Sequence, residues 1–331
     1  MLSDDIGTGN SENQLGADIS LLKDITNSSY RLQFDAKFQE ASQVSNLLSA
    51  SPNVFEAKIF FQQKENDPIQ WRAGVAYLSG NDAIGSTSVF YPVINLRTHL
   101  SHSFEIGAGF EPKPYLIGLS ELLRTNLFYS PLIALTAFPN SNAFPGDFRR
   151  VVSEPIHVNV FANYFLSLDN QVHAEFRFIE RNHEPVFDSR LDTKGHLVFI
   201  TDAWNTRRIE LEAGGTARLF MKDQFRTSIL FRSAANRDGV QLSLPYEPTA
   251  QVQVEYQFGN ISEKCIPQIE FLDLSRINHS FLFVNIEVPY KLSPHFQLKL
   301  RAENILGNAG DYWTGYNEYP RSVCLSARYS F

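Results

Sequence analysis

Apolar and polar residues alternate with a period of two along much of this chain. Tyr30, Leu32, Phe34, Ala36 and Phe38 share one face, opposite Arg31, Gln33, Asp35, Lys37 and Gln39. Val172, Ala174, Phe176 and Phe178 oppose Gln171, His173, Glu175 and Arg177, and Val252, Val254, Tyr256 and Phe258 oppose Gln251, Gln253, Glu255 and Gln257. Phe296, Leu298, Leu300 and Ala302 face away from His295, Gln297, Lys299, Arg301 and Glu303. The last twelve residues keep the pattern, with Val323, Leu325, Ala327, Tyr329 and Phe331 against Ser322, Cys324, Ser326, Arg328 and Ser330. A period of two is the signature of a β-strand. A half-buried soluble strand also alternates, but its polar face is usually mixed and its length modest. Here charged and amide residues recur on the polar face over some three hundred residues, as a wet lumen behind a lipid-facing exterior would select.

The pattern predicts strands over 29–39, 54–64, 69–80, 87–98, 102–111, 155–167, 171–182, 196–220, 225–234, 239–246, 250–259, 278–290, 295–305 and 320–331. Short connections at 64–68, 100–103, 168–170, 221–224, 247–249 and 292–294 alternate with longer ones at 40–53, 81–86, 112–154, 183–195, 235–238, 260–277 and 306–319. Such alternation distinguishes the two ends of an outer-membrane barrel. The expected fold is therefore all-β, a transmembrane antiparallel β-barrel of about fourteen strands. Its first 28 residues would form a periplasmic segment, residues 29–331 the barrel, and both termini would lie on the short-turn side. That count holds if Ala17 to Leu22 does not span. If it does, one more strand must be hidden, best placed in 114–138. The long connection 112–154 either folds inward as a constriction or packs outside on its neighbours.

Composition narrows the class. A net charge of -7 and a pI near 5.6 lack the basic footprint of a nucleic-acid partner. No apolar run approaches the ~18 residues of a membrane helix, which leaves barrels untouched. The 27 Phe and 13 Tyr suit a lipid-facing wall. Cys265 and Cys324 show neither metal spacing nor a CxxC pair. Leu2 to Ala17 has no basic and apolar leader pattern, so we expect a mature sequence carrying an added initiator Met.

The C-terminal stretch Leu298 to Phe331 resembles the end of TonB-dependent outer-membrane receptors. Glu303, Asn304, Ile305 and Leu306 match the close of their penultimate strand, Tyr312 to Tyr319 the aromatic loop, and Pro320-Arg321 the element opening the last strand, without its Gly. Arg208-Ile209-Glu210-Leu211 is similar to a long descending strand of the same family. The resemblance covers the C-terminal half by motif and the N-terminal half by strand pattern alone. It implies outer-membrane localisation in a Gram-negative bacterium, lipid contact, and a terminal Tyr329 and Phe331 read by the barrel-assembly machinery. Such receptors also carry a plug and an energy-coupling box ahead of a barrel of about twenty-two strands. The 28 residues before the first predicted strand cannot hold a plug. Energy-coupled import by this chain alone is therefore not expected.

No nucleophile elbow, zinc-protease helix, phosphate loop or dinucleotide fingerprint occurs, and we expect neither enzymatic activity nor a cofactor nor a metal. Gly107 and Gly109 read as close backbone approach on the inner face. The candidate functional surface is the lumen charge ladder of Arg31, Asp35, Lys37, Glu56, Lys58, Arg72, Arg97, Glu175, Arg177, Glu255, Lys299, Arg301, Glu303 and Arg328. Opposed charges of this kind tune solute selectivity in an open pore or cross-link a closed one. Asp311, Tyr312, Trp313, Tyr316 and Tyr319 form the candidate outer contact, since aromatics beside carboxylates suit a sugar or a protein surface. The leading expectation is passage or binding of small polar solutes. The other is an accessory subunit among envelope proteins, its lumen closed by charge pairs.

Overall fold

The structure, a computed structural model, describes residues 2–5, 10–26, 28–44, 49–50, 52–63, 69–82, 85–116, 151–191, 197–219, 222–236, 249–259, 264–275, 280–307, 310–313, 316–318 and 321–329. Its strands in chain order are β1 (Leu2–Asp5), β2 (Asn10–Asp24), β3 (Tyr30–Val44), β4 (Ser49–Ala50), β5 (Asn53–Gln63), β6 (Ile69–Asp82) and β7 (Gly85–Ser101). There follow β8 (Phe104–Phe110), β9 (Lys113–Leu116), β10 (Val151–Phe165), β11 (Gln171–Leu191), β12 (Leu197–Leu219), β13 (Asp223–Asn236) and β14 (Ala250–Gln257). The last are β15 (Gln268–Ser275), β16 (Ser280–Lys291), β17 (Phe296–Glu303), β18 (Gly310–Trp313), β19 (Tyr316–Glu318) and β20 (Ser322–Tyr329).

Eighteen of these strands form one sheet, and β18 with β19 forms a separate hairpin. Every pairing is antiparallel and joins strands that are neighbours in the chain or separated only by β4, by β9 or by the β18–β19 hairpin, so the wall is a meander from β2 to β20. β4 continues the row of β5 along β3, and β9 continues that of β8 along β10. The fold is thus the all-β antiparallel barrel type that the alternation predicts.

Burial shows which face meets which medium. In β12 the polar residues Arg208 and Glu210 are 2% and 6% exposed, while Ile209 and Leu211 between them are 44% and 50% exposed. Ile59, Val75, Phe90, Ile94 and Val172 are likewise exposed. A sheet that hides its charges and bares its aliphatics is inside out for water and correct for lipid. Rings on the outward face gather at two levels. Tyr30, Phe61 and Trp71 lie with centroids 5.0–5.9 Å apart near the short-turn end. The Tyr77 ring lies tilted 4.8 Å from Phe90 and 6.3 Å from Phe55 towards the other end. Phe55 and Phe61 are separated along one strand by about 20 Å, which fits two aromatic girdles bounding an apolar band.

The strand array departs from the pattern-based reading in three places. Asn10–Asp24 is a full strand paired along β3, so the sheet starts within the segment expected to precede it, on the long-connection side. Leu15, Ala17, Ile19 and Leu21 do alternate outward there, but Gly16 and Leu22 on the other face blur the period. β15 lies inside the connection expected at 260–277. Its phase fails midway, because Leu272 and Leu274 fall on the polar face and Asp273 on the apolar one. The strand expected over 239–246 lies outside the described residues, as do 117–150, which hold most of the segment expected to hide an extra strand. The connection 112–154 is shorter than expected, since β9 and the start of β10 occupy its ends.

Candidate functional site

The inner face is laid out by strand register. Residues directly opposite on paired strands lie within about 5.5 Å, so acids and bases on neighbouring strands meet side by side. Arg177 of β11 is the clearest case: its guanidinium donates to Glu175 at 2.7 Å and Glu210 at 3.0 Å, and also to Glu212. Arg232 of β13 reaches Glu210 from the other side at 2.8 Å. The result is a band of alternating sign across three strands.

Towards the long-connection side a second cluster is more deeply buried. Arg208 donates to Glu184 through Nε at 3.1 Å, and the Thr206 hydroxyl donates to the same carboxylate. Arg181 bridges Glu184 and Glu154, each at 2.8 Å, and His157 Nδ1 lies 2.8 Å from Glu154. A third cluster crosses several strands. Lys58 of β5 contacts Glu56 at 2.8 Å and Glu111 at 2.9 Å, and Arg72 of β6 holds the other oxygen of Glu111 at 2.9 Å. Arg72 also lies 4.5 Å above the ring of Phe60.

Glu111 stands just before β9, and β9 packs against β5 and β6 as well as pairing with β10. Beneath this crossing, Phe60, Ala76, Leu78 and Val93 are buried although they occupy the inner face. The described start of the long connection is thus laid over the inside of the wall and anchored there by Lys58 and Arg72. Between the clusters, a recess of about 390 Å³ is bordered by Asn95, Lys113, His157, Asn159, Arg177 and Arg181. Another of about 350 Å³ is bordered by Arg31, Gln62, Gln70, Arg72, Arg97 and Asn159. Gly107 and Gly109 sit between them, where a side chain would collide with Phe161, Asn159 and Asn95.

All fourteen residues expected on the inner ladder lie on that face, though not in one site. Arg31 pairs with Asp24 at 3.3 Å, and Asp35 accepts from Ser20 at 2.6 Å and from Gln33 at 2.8 Å. Lys37 lies opposite Glu56 and Asp18 in the register, and Arg97 pairs with buried Glu105. Arg226 approaches Glu255 at 3.5 Å. Lys299 and Arg301 both address Glu287, at 2.9 and 3.8 Å, and Arg301 also holds Glu303 at 2.8 Å. Arg328 faces Gln297 across β17.

Reading the pattern alone missed Glu111, Lys113 and Arg181, which line the larger recess, and Glu154 and Glu184, which hold Arg181 and Arg208. Glu111 and Arg181 occupy the last inward positions of the strands expected over 102–111 and 171–182, so continuing the parity would have found them. Lys113, Glu154 and Glu184 fall in the expected connections, and register shifts take Glu154 and Glu184 off the parity of their strands. Asp311, Tyr312, Trp313 and Tyr316 lie on the β18–β19 hairpin, with Trp313 opposite Tyr316. Tyr319 and Phe331 lie outside the described residues. Tyr329 closes β20 opposite Phe296.

No family model matches the chain, and no curated protein sequence does either. Solved structures do match, and they are outer-membrane receptors and transporters. The copper transporter OprC aligns with 97% of this chain at 13% identity and a TM-score of 0.61, using 57% of its own length. The FrpB iron transporter from Neisseria meningitidis aligns with 97% at 8% identity and a TM-score of 0.64, using 55%. The ferric-catecholate import receptor Fiu from K12 E. coli aligns with 98% at 11% identity and a TM-score of 0.62, using 55%. This chain therefore spans a little over half the length of these receptors, matches their barrel portion, and has a TonB-dependent-receptor-like fold.

Proposed function

We propose that the chain forms the solute-facing wall of an outer-membrane transport barrel that passes or binds small polar solutes. The observation that carries this reading is the inner face, a ladder of paired acids and bases interrupted by two polar recesses. Paired charges leave little net field at the wall, while Lys113, His157 and the guanidiniums around the larger recess offer donors to a charged or hydroxylated solute. The neighbours named above carry copper or iron compounds, which supports transport as a class; the recess sets no preference among solutes.

The experiment is single-channel conductance of protein extracted from its own outer membrane. Steady conductance is expected, rising when 114–138 is deleted, because the anchored segment at Glu111 and β9 narrows the lumen. Silence from both proteins would favour the second reading, an accessory subunit whose lumen is closed by the Lys58–Glu111–Arg72 bridge. That bridge is the specific observation in its favour.

The terminal aromatics are proposed to serve assembly. Deleting Phe331 is expected to lower outer-membrane yield severalfold while leaving refolding into detergent intact. Equal surface levels of deletion and parent would end that idea. A defect in both assays would assign Phe331 to packing.

A further inference from the structure

The two lateral edges of the sheet have properties that together define what must sit on them. β2 pairs with β3 on one side; on the other, β1 covers Asn10 to Asn13 in the antiparallel sense. From Gln14 to Asp24 that outer edge has no strand beside it among the described residues. At the opposite end, Ser322 to Arg328 pair with β17 on one side only among the described residues. Leu15 is 65% exposed, and Val323 and Leu325 are 73% and 72% exposed. Neither Gln14–Asp24 nor Ser322–Arg328 contains the Pro or bulge by which natural edges are blunted. In a bilayer an unpaired strand edge has no water to satisfy its N–H and C=O groups.

Direction limits the occupant. Each antiparallel pairing reverses the chain, and fifteen full rows run from β2 to β20. β2 and β20 therefore point the same way, from the long-connection side to the short-turn side. They cannot be joined to each other in the antiparallel sense used everywhere else in this wall. A second copy held in the same membrane orientation fails for the same reason, because it too offers β2 to β20 in parallel. An odd number of strands between the edges satisfies both, and β1 already shows an antiparallel strand seated on β2. The matched receptors carry much more chain than this sequence supplies, this one corresponding to 57% of OprC.

We propose that the wall is completed by a companion set of strands absent from these 331 residues, odd in number and apolar on the outward face, seated antiparallel on both β2 and β20. The companion is defined by barrel-wall chemistry: it continues the outward rows of Leu15, Ile19, Val323 and Ala327 and presents polar residues inward. The inference rests on the wall reading and not on solute passage. The two fail separately, since crosslinks report the wall and conductance reports transport.

The test uses a background with Cys265→Ser and Cys324→Ser, carrying single substitutions Leu15→Cys, Ile19→Cys, Val323→Cys or Ala327→Cys. A maleimide–benzophenone reagent is attached to the cysteine in outer membranes of the host and photolysed, so that it inserts into C–H bonds of the neighbouring strand without needing a second thiol. The joined peptides are then sequenced. Cysteines at both edges are expected to join amphipathic strands from outside this sequence, with partner positions in reverse order. The partner of Val323→Cys should thus lie C-terminal to that of Ala327→Cys. The pair Leu300→Cys and Leu325→Cys, opposite in the register, should be bridged within one copy by a short bis-maleimide and reports a folded wall. With that control positive, any of three results overturns the proposal: joining of Ile19→Cys to Ser322–Tyr329 within one copy, joining between two copies, or same-order or absent products.

Discussion

Ile59→Arg is expected to destabilise the folded barrel in lipid by about 2–4 kcal/mol, the cost of a guanidinium on the lipid face near mid-depth. Ile59 is 54% exposed on the outward face, between the aromatic levels of Phe55 and Phe61. In a soluble protein an exposed aliphatic replaced by arginine would cost next to nothing. The sign of the experiment therefore identifies the medium. Urea titration in vesicles, followed by heat-modifiable migration, measures it. Arg226→Gln on the inner face is the comparison: Arg226 is half exposed and 3.5 Å from Glu255, and its loss should cost no more than ~1 kcal/mol. If Ile59→Arg folds as well as the parent in vesicles, the lipid-facing assignment fails.

Arg208→Met is expected to cost about 3 kcal/mol or more, because it leaves the buried Glu184 carboxylate short of its main partner. Arg208 and Glu184 are almost wholly buried, and Thr206 and Arg181 cannot replace a guanidinium held through two nitrogens. Arg208→Met with Glu184→Met should recover most of the loss, since desolvating an ion pair consumes much of what the pair returns. The same vesicle titration reads it. A double variant no better than Arg208→Met would mean that Arg208 acts through packing along its aliphatic stem.

These two predictions use different kinds of information. The outward position of Ile59 could be read from the sequence, because side-chain period and strand parity fix a face once any neighbour's face is known. The same logic placed the ladder from Arg31 to Arg328 on one side. The partner of Arg208 could not be read. Glu184 lies in what the pattern marks as a connection, since alternation weakens beyond Arg181, and only the pairing of β11 with β12 shows that the strands continue. The register shift between Arg181 and Glu184 carries that carboxylate over Arg208.

By itself, then, the sequence determined the class of this protein: a two-residue period with ionic residues on one face and aliphatics on the other is compatible with a membrane wall and little else. It also determined most turns and the inner or outer place of nearly every ladder residue. Only the tertiary structure decided three things. It recruited β2 and β15, where Leu22, Leu272 and Leu274 break the alternation and cross-strand hydrogen bonding overrides the local pattern. It laid β9 across the inside, through an ion pair between residues 53 positions apart. And it set the number of rows, on which the common direction of β2 and β20 depends. Periodicity is a local property, whereas register, crossing and parity come from pairing between distant segments, and no window of sequence contains both partners.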